Sequence, residues 1–142
     1  MNRSPLERVF VAGHRGMVGS ALVRRLEKAG AGEVVVCGRD ELDVTRQADV
    51  VSFFGDGRIG LVYLGAAWVG GIKANRDRPA DFIRENLQIQ TNVIDAAHRS
   101  GVQRLMFLGS SCIYPREAAQ PMREDALMTG TLEPTNDADA VA

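Results

Sequence analysis

A chain of 142 residues is enough for one domain of ordinary size and too short for two. Its 45% hydrophobic and 25% charged residues exclude a disordered or fibrous protein, and no apolar run approaches the roughly 20 residues that cross a bilayer. Seventeen Lys and Arg against eighteen Asp and Glu leave a net charge of −1, without the basic excess that non-specific nucleic-acid binders set against phosphate.

The polar residues Met1 to Arg8 lead into a strand, which is not the layout of a secretory signal. Arg8 to Ala12 is a short apolar β-favouring run that stops at Gly13, the pattern of a buried parallel strand. From Gly16 to Ala29 the period changes. Val18, Leu22, Leu26 and Ala29 fall on one helical face, and Gly30 supplies a stop. Glu33 to Cys37 reads as a second buried strand, Glu41 to Val44 as a brief third one, and Thr45 as the cap of a helix running to about Phe54. Leu61 to Leu64 is the next strand, closed by Gly65.

Pro79 opens a long helix that lasts to Ser100, with Gly101 as its stop. Its apolar residues make two adjoining stripes, one of Phe82, Ile89, Val93 and Ala96 and one of Ile83, Leu87, Ile94 and Ala97. Together they cover about half the circumference, more than one sheet contact requires. One stripe is expected to face the sheet and the other something else. Leu105 to Leu108 is the last strand, and from Tyr114 onward the sequence is polar, contains proline and shows no clear periodicity. Strands separated by helices predict right-handed crossovers and an α/β doubly wound, Rossmann-like parallel sheet with helices on both faces. The sheet is expected to be incomplete, with 1–142 a dinucleotide-binding domain cut before its last strands.

Gly13, Gly16 and Gly19 stand between the first strand and the first helix, in the spacing G-x-x-G-x-x-G. Gly13 permits a tight turn, Gly16 a close approach of backbone to a pyrophosphate, and Gly19 close packing of helix on strand. The free N–H groups and the dipole at the helix N-terminus attract the phosphates. Three glycines also suit any tight strand-to-helix turn, and it is the position between strand and amphipathic helix that favours phosphate. At the end of the second strand an NAD site usually carries an acidic residue for the ribose 2′-hydroxyl. Here Cys37-Gly38-Arg39 is followed by Asp40. Arg39 and Arg15 together suit a 2′-phosphate and hence NADP, whereas Asp40 suits a 2′-hydroxyl.

Ser110 and Ser111 follow a strand on the side where open α/β sheets bind ligands, although serine after a strand is also ordinary turn chemistry. Cys37 and Cys112 are too few for a disulfide scaffold and read as free thiols in a reducing cytoplasm. Cys112 reads as a small apolar residue unless its pKa is lowered. His14 and His98 are too poorly accompanied for a metal site, and Trp68 suits either the core or a pocket wall.

Six segments carry a resemblance: Gly-His-Arg-Gly-Met-Val-Gly-Ser (13–20), Arg-Asp-Glu-Leu (39–42), Val-Gly-Gly-Ile (69–72), Pro-Ala-Asp-Phe-Ile (79–83), Leu-Gly-Ser-Ser-Cys-Ile-Tyr-Pro (108–115) and Gly-Thr-Leu-Glu-Pro-Thr-Asn (130–136). From about residue 8 to 136 the chain resembles the GDP-L-fucose synthases, which are extended short-chain dehydrogenase/reductases. The resemblance implies a 3,5-epimerase and NADPH-dependent 4-reductase that converts GDP-4-keto-6-deoxy-D-mannose to GDP-L-fucose, in a cytoplasmic dimer. It implies that NADP is held by Gly13, His14, Arg15, Gly16, Met17, Val18 and Gly19, by Arg39, Asp40, Glu41, Leu42 and Asp43, by Ala66 and Ala67, and by Leu108, Gly109, Ser110 and Ser111. Ser110 would hold the 4-keto oxygen, and Cys112 would be an acid/base group for epimerisation. The family's Tyr-x-x-x-Lys motif would place its tyrosine at Asp139 and its lysine at position 143, past the last residue, with the nucleotide-sugar domain further on. The alternatives are a non-catalytic nucleotide- or partner-binding fragment and another nucleotide-sugar epimerase or dehydratase.

Overall fold

The computed structural model describes residues 8–136 and residue 140. Eight regular elements follow in chain order: β1 (Arg8–Ala12), α1 (Met17–Lys28), β2 (Glu33–Val35), α2 (Gln47–Gly57), β3 (Leu61–Leu64), α3 (Ile72–Asp77), α4 (Pro79–Arg99) and β4 (Arg104–Phe107). Within the described residues two compact units are formed, 8–67 with 88–108 and 68–87 with 109–136. No helix among the described residues is long and apolar enough to cross a membrane.

The first unit is built on a four-stranded sheet of order β2-β1-β3-β4, parallel throughout. Register sets its faces. Phe10 pairs with Val62 and Ala12 with Leu64, so these four side chains share one face and are all buried. Val50 and Phe54 of α2 and Ile89, Val93, Ala96 and Ala97 of α4 complete the same core. Phe10 sits among aromatic rings, 4.7 Å from Phe53 and edge-on to Phe54 at 6.0 Å between centroids. A right-handed crossover from β1 out to β2 must pass the opposite face from the crossovers that return through β3 to β4. This places α1 across the sheet from α2 and α4. Both long helices end as the sequence predicts: the Gly101 N–H donates to His98 and that of Val102 to Ala97, and α1 closes at Gly30 with the equivalent pair of bonds.

Several expectations need correction. Glu41 to Val44 forms a turn rather than a strand, because the Gly38 carbonyl accepts from the N–H groups of both Glu41 and Leu42. Thr45 does not cap α2. Its hydroxyl donates to Asp43 Oδ1 at 2.7 Å, and Arg46 stands at the N-cap. The helix continues past Phe54 to Gly57, β2 stops at Val35 rather than Cys37, and β4 lies one residue earlier than 105–108. On α1 the predicted apolar face is only half-covered: Val18 is 48% exposed, and Gly19 is the one buried residue of the helix. The helix meets the sheet through its glycine, so its larger side chains stand off.

The second unit holds α3, which the periodicity had not suggested, and residues 79–87 of α4. Its aperiodic stretch folds through short 3-10 turns at Ser111–Ile113, Glu124–Ala126 and Pro134–Asn136. The Arg116 N–H donates to the Thr131 carbonyl at 3.0 Å, and Arg116 pairs with Glu133, which closes residues 116–131 into a loop.

Candidate functional site

In the sheet order the chain leaves β1 toward β2 on one side and returns to β3 on the other, so β1 and β3 flank the switch point where open parallel sheets bind ligands. Gly13 follows β1 there, with φ +85°. A Cβ on it would lie 2.7 Å from Ala66 N and 2.8 Å from the carbonyl carbon of Gly65, so the turn after β1 rests directly on the turn after β3. A Cβ on Gly19 would stand 2.7 Å from the Gly13 carbonyl carbon and 2.9 Å from His14 Cα, closer still to the Gly13 oxygen. All these atoms are backbone. Gly16 differs, since a Cβ there would meet only the Gly13 oxygen, at 3.3 Å.

Above Gly16 the surface is open, and Gly16, Arg15, Met17 and Val18 are all exposed. The N–H groups of Met17 and Val18 begin α1 and have no carbonyl four residues back within the helix. The first turn of α1 carries no acidic residue to oppose an anion. The three-glycine turn therefore forms a cradle that a side chain would fill, and it fits a pyrophosphate.

Of the three ribose-corner candidates, Arg15, Arg39 and Asp40, the fold brings Arg15 and Asp40 to one place over Gly38, while the Arg39 side chain contacts Asp43. A Cβ on Gly38 would be 3.1 Å from a terminal guanidinium nitrogen of Arg15 and 2.5 Å from Asp40 Oδ1. Arg15 thus lies over the residue that follows β2. Arg39 is exposed, with its Nε 3.9 Å from Asp43 Oδ2. The neighbouring carboxylates are engaged. Glu41 accepts the Gly38 N–H at 2.7 Å, and Asp43 accepts both the hydroxyl and the N–H of Thr45. The Thr45 hydroxyl is the chief reason that Asp43 is held below the usual carboxylate range; its N–H and the guanidiniums of Arg39 and Arg46 add to this against partial burial. Burial, with the Glu41 carboxylate beside it, pushes the Cys37 thiol up. Leu42 is in the core, which leaves only its backbone to offer a ligand.

Ala66 is half-buried with its N against Gly13, and Ala67 is exposed. The Leu108 N–H donates to the Leu64 carbonyl at 3.0 Å, extending the pairing one step past β4, and Gly109 follows, exposed. In the second unit Ser110 Oγ accepts the Cys112 N–H at 3.1 Å and caps the turn of Ser111–Ile113. That bond uses a lone pair and leaves the hydroxyl proton to donate elsewhere. Cys112 is half-buried and Ser111 exposed. Asp139 lies outside the described residues.

Two positions carry more than the sequence suggested. Gly38 is the floor under Arg15, and a glycine directly before Arg39 is the only signal of it. Asn86 acts like a strand partner: its amide oxygen accepts the Trp68 N–H at 2.7 Å and its NH₂ donates to the Trp68 carbonyl at 2.9 Å. The Trp68 ring meets Phe82 edge-on at 6.1 Å, so Trp68 packs within its own unit. A polar residue between two apolar stripes gives no hint of such a clamp.

The profile of the NAD dependent epimerase/dehydratase family matches residues 9–138. GDP-L-fucose synthase 1 of Arabidopsis thaliana is 58% identical over 135 residues, covering 95% of this chain and 42% of its own length. The GDP-L-fucose synthase of Escherichia coli (strain K12) is 57% identical over 136 residues, at 96% and 42% coverage. Among solved structures, a GDP-mannoheptose C4 reductase from Campylobacter jejuni with NADP bound superimposes with a TM-score of 0.90 at 37% identity, over 98% of this chain and 44% of that one. The chain spans about 42% of the length of these curated relatives.

Proposed function

The chain belongs to the NAD dependent epimerase/dehydratase family, and from that premise we propose that it is the NADP-binding portion of a GDP-L-fucose synthase-like epimerase/reductase acting on GDP-4-keto-6-deoxy-D-mannose. The observation that carries this reading is the glycine cradle at the sheet's switch point, with Arg15 lying over Gly38 beside Arg39. Two relatives above 50% identity are named for this activity, and a structural neighbour was solved with NADP. The cradle would take the pyrophosphate on the N–H groups that open α1. Arg15 and Arg39 would take the 2′-phosphate. When bound, the nicotinamide would supply hydride to a carbonyl carbon.

The remaining roles fall to Ser110 and Cys112. A ketone acidifies its neighbouring C–H bonds, and a thiol near the sugar can carry the proton that inverts such a carbon. Ser110 has a hydroxyl proton left to donate to the keto oxygen. A cytoplasmic location fits a chain with two free thiols, Cys37 and Cys112.

The direct test is calorimetry with NADPH and NADH. The unmodified chain should favour NADPH, and Arg39→Ala should weaken NADPH by about 1.5–3 kcal/mol while sparing NADH, the loss expected for one charge-assisted bond. Equal binding of both cofactors by the unmodified chain would sink the reading.

Association follows from part of the second stripe of α4, whose Ala97 is buried in the core rather than facing away from it. The first stripe is buried, but Leu87 and Ile94 are each 41% exposed, as are Met106 at 53% and Phe107 at 44% on β4. Apolar side chains in this number on a helix and an edge strand favour burial against a second copy. Light scattering should show a dimer or larger species at high concentration. A clean monomer that binds no hydrophobic dye would contradict it.

A further inference from the structure

We propose that Asp40 is a specificity-determining residue that keeps the ribose corner open to a bare 2′-hydroxyl, and so limits the discrimination that Arg15 and Arg39 would otherwise give a 2′-phosphate. The inference rests on the dinucleotide reading above and deepens it.

The argument starts at Gly38. Its backbone is fixed on both sides, by its N–H to Glu41 Oε2 at 2.7 Å and by its carbonyl, which accepts from Glu41 and Leu42 at 3.0 and 2.9 Å. The space that a side chain on Gly38 would fill is bordered by the Arg15 guanidinium and the Asp40 carboxylate together, 3.1 and 2.5 Å from the same point. A cation and an anion are therefore presented near one point, over a hydrogen-bonded turn, at the place where the ribose end of the ligand is expected. The other two carboxylates of the segment do different work, since Glu41 holds the Gly38 N–H and Asp43 holds Thr45. Asp40 is exposed and projects over Gly38 instead.

A carboxylate in that place has two consequences of opposite sign. Toward a 2′-hydroxyl it is an acceptor, the usual device of NAD sites. Toward a 2′-phosphate it is a like charge. Asp40 should thus strengthen the first ligand and weaken the second, which narrows the gap between them.

Asp40→Asn removes the charge and keeps the shape. Calorimetry on the 142-residue chain with NADP+, NAD+ and adenosine 2′,5′-bisphosphate reads both halves of the claim, the last probe carrying the phosphate without the nicotinamide. The variant should bind NADP+ and the bisphosphate several-fold more tightly and NAD+ several-fold more weakly, so that the preference for NADP+ rises about tenfold. The gain with the two phosphate ligands should shrink as salt is raised, whereas the loss with NAD+ should not. Thermal unfolding should be unchanged, because Asp40 is exposed. A native chain that prefers NADP+, paired with a variant whose preference is unchanged or reduced, overturns the role of Asp40 and leaves the dinucleotide reading intact. A native chain that binds none of the three ligands overturns both.

Discussion

Gly19→Ala should abolish dinucleotide binding and destabilise the chain by about 1–3 kcal/mol or more, although by helix propensity alone the change would stabilise by up to about 1 kcal/mol. The steric effect wins because every atom in the way is backbone. The new Cβ would fall within 3 Å of the Gly13 carbonyl carbon and of His14 Cα, and nearer still to the Gly13 oxygen. Nor can Gly13 retreat, since it already touches Gly65 and Ala66 on its other side. The glycine turn must therefore lift away from β3 or the first turn of α1 must unwind, and either change disperses the N–H groups that form the cradle. Gly55, in the interior of α2, is the control. A Cβ on it would meet nothing within 4 Å, so Gly55→Ala should stabilise by as much as about 1 kcal/mol. Denaturant unfolding and an NADPH titration on the two variants separate the effects. Native-like binding by Gly19→Ala would show that the turn can shift without losing its ligand.

The second large effect is on chemistry. The 142-residue chain on its own should reduce GDP-4-keto-6-deoxy-D-mannose no faster than its Ser110→Ala variant. The family's motif would put a tyrosine at position 139, where this sequence has aspartate. Aspartate is ionised at neutral pH and repels a nascent alkoxide, whereas a tyrosine donates a proton to it. A positioned general acid contributes roughly 10²–10⁴-fold. Holding the sugar against the nicotinamide is worth more, roughly 7–11 kcal/mol by effective-molarity arguments, and the curated relatives use more than twice this length of chain. Asp139→Tyr alone should recover nothing for that reason. The measurement is loss of the reduced-nicotinamide absorbance with the keto-sugar present. Turnover above the Ser110→Ala control would mean that Ser110, Cys112 and Asp139 make a working site.

These expectations draw on two kinds of information, and the molecule divides them clearly. β1 and β3 were legible to the residue, since a short apolar run closed by glycine has few other readings. The span of α4 was legible to within one residue, ending at Arg99 rather than Ser100, as was its stop at Gly101, because a period of 3.6 residues and a helix-ending glycine are written within one turn of chain. The geometry of the glycine turn was equally legible, since Gly13 takes φ +85° and Gly19 packs against it as a tight strand-to-helix turn requires. The segment 41–44 was misread for the complementary reason. Its apolar residues suit a strand, but the carbonyl of Gly38 and the carboxylate of Glu41 draw the chain into a turn, and Leu42 turns into the core.

What only the tertiary structure decided is which distant residues meet. Arg15 follows β1 and Asp40 follows β2, and they share the space over Gly38 because the crossover through α1 lays those two strands side by side. Gly13 is glycine partly for its own turn and partly because Gly65 and Ala66 arrive against it from β3. Asn86 clamps Trp68 through backbone groups that no side-chain pattern records. Periodicity and turn chemistry act over a few residues and leave their mark in the local sequence. Contacts between the ends of neighbouring strands depend on sheet order and register, which are set by packing across the whole core.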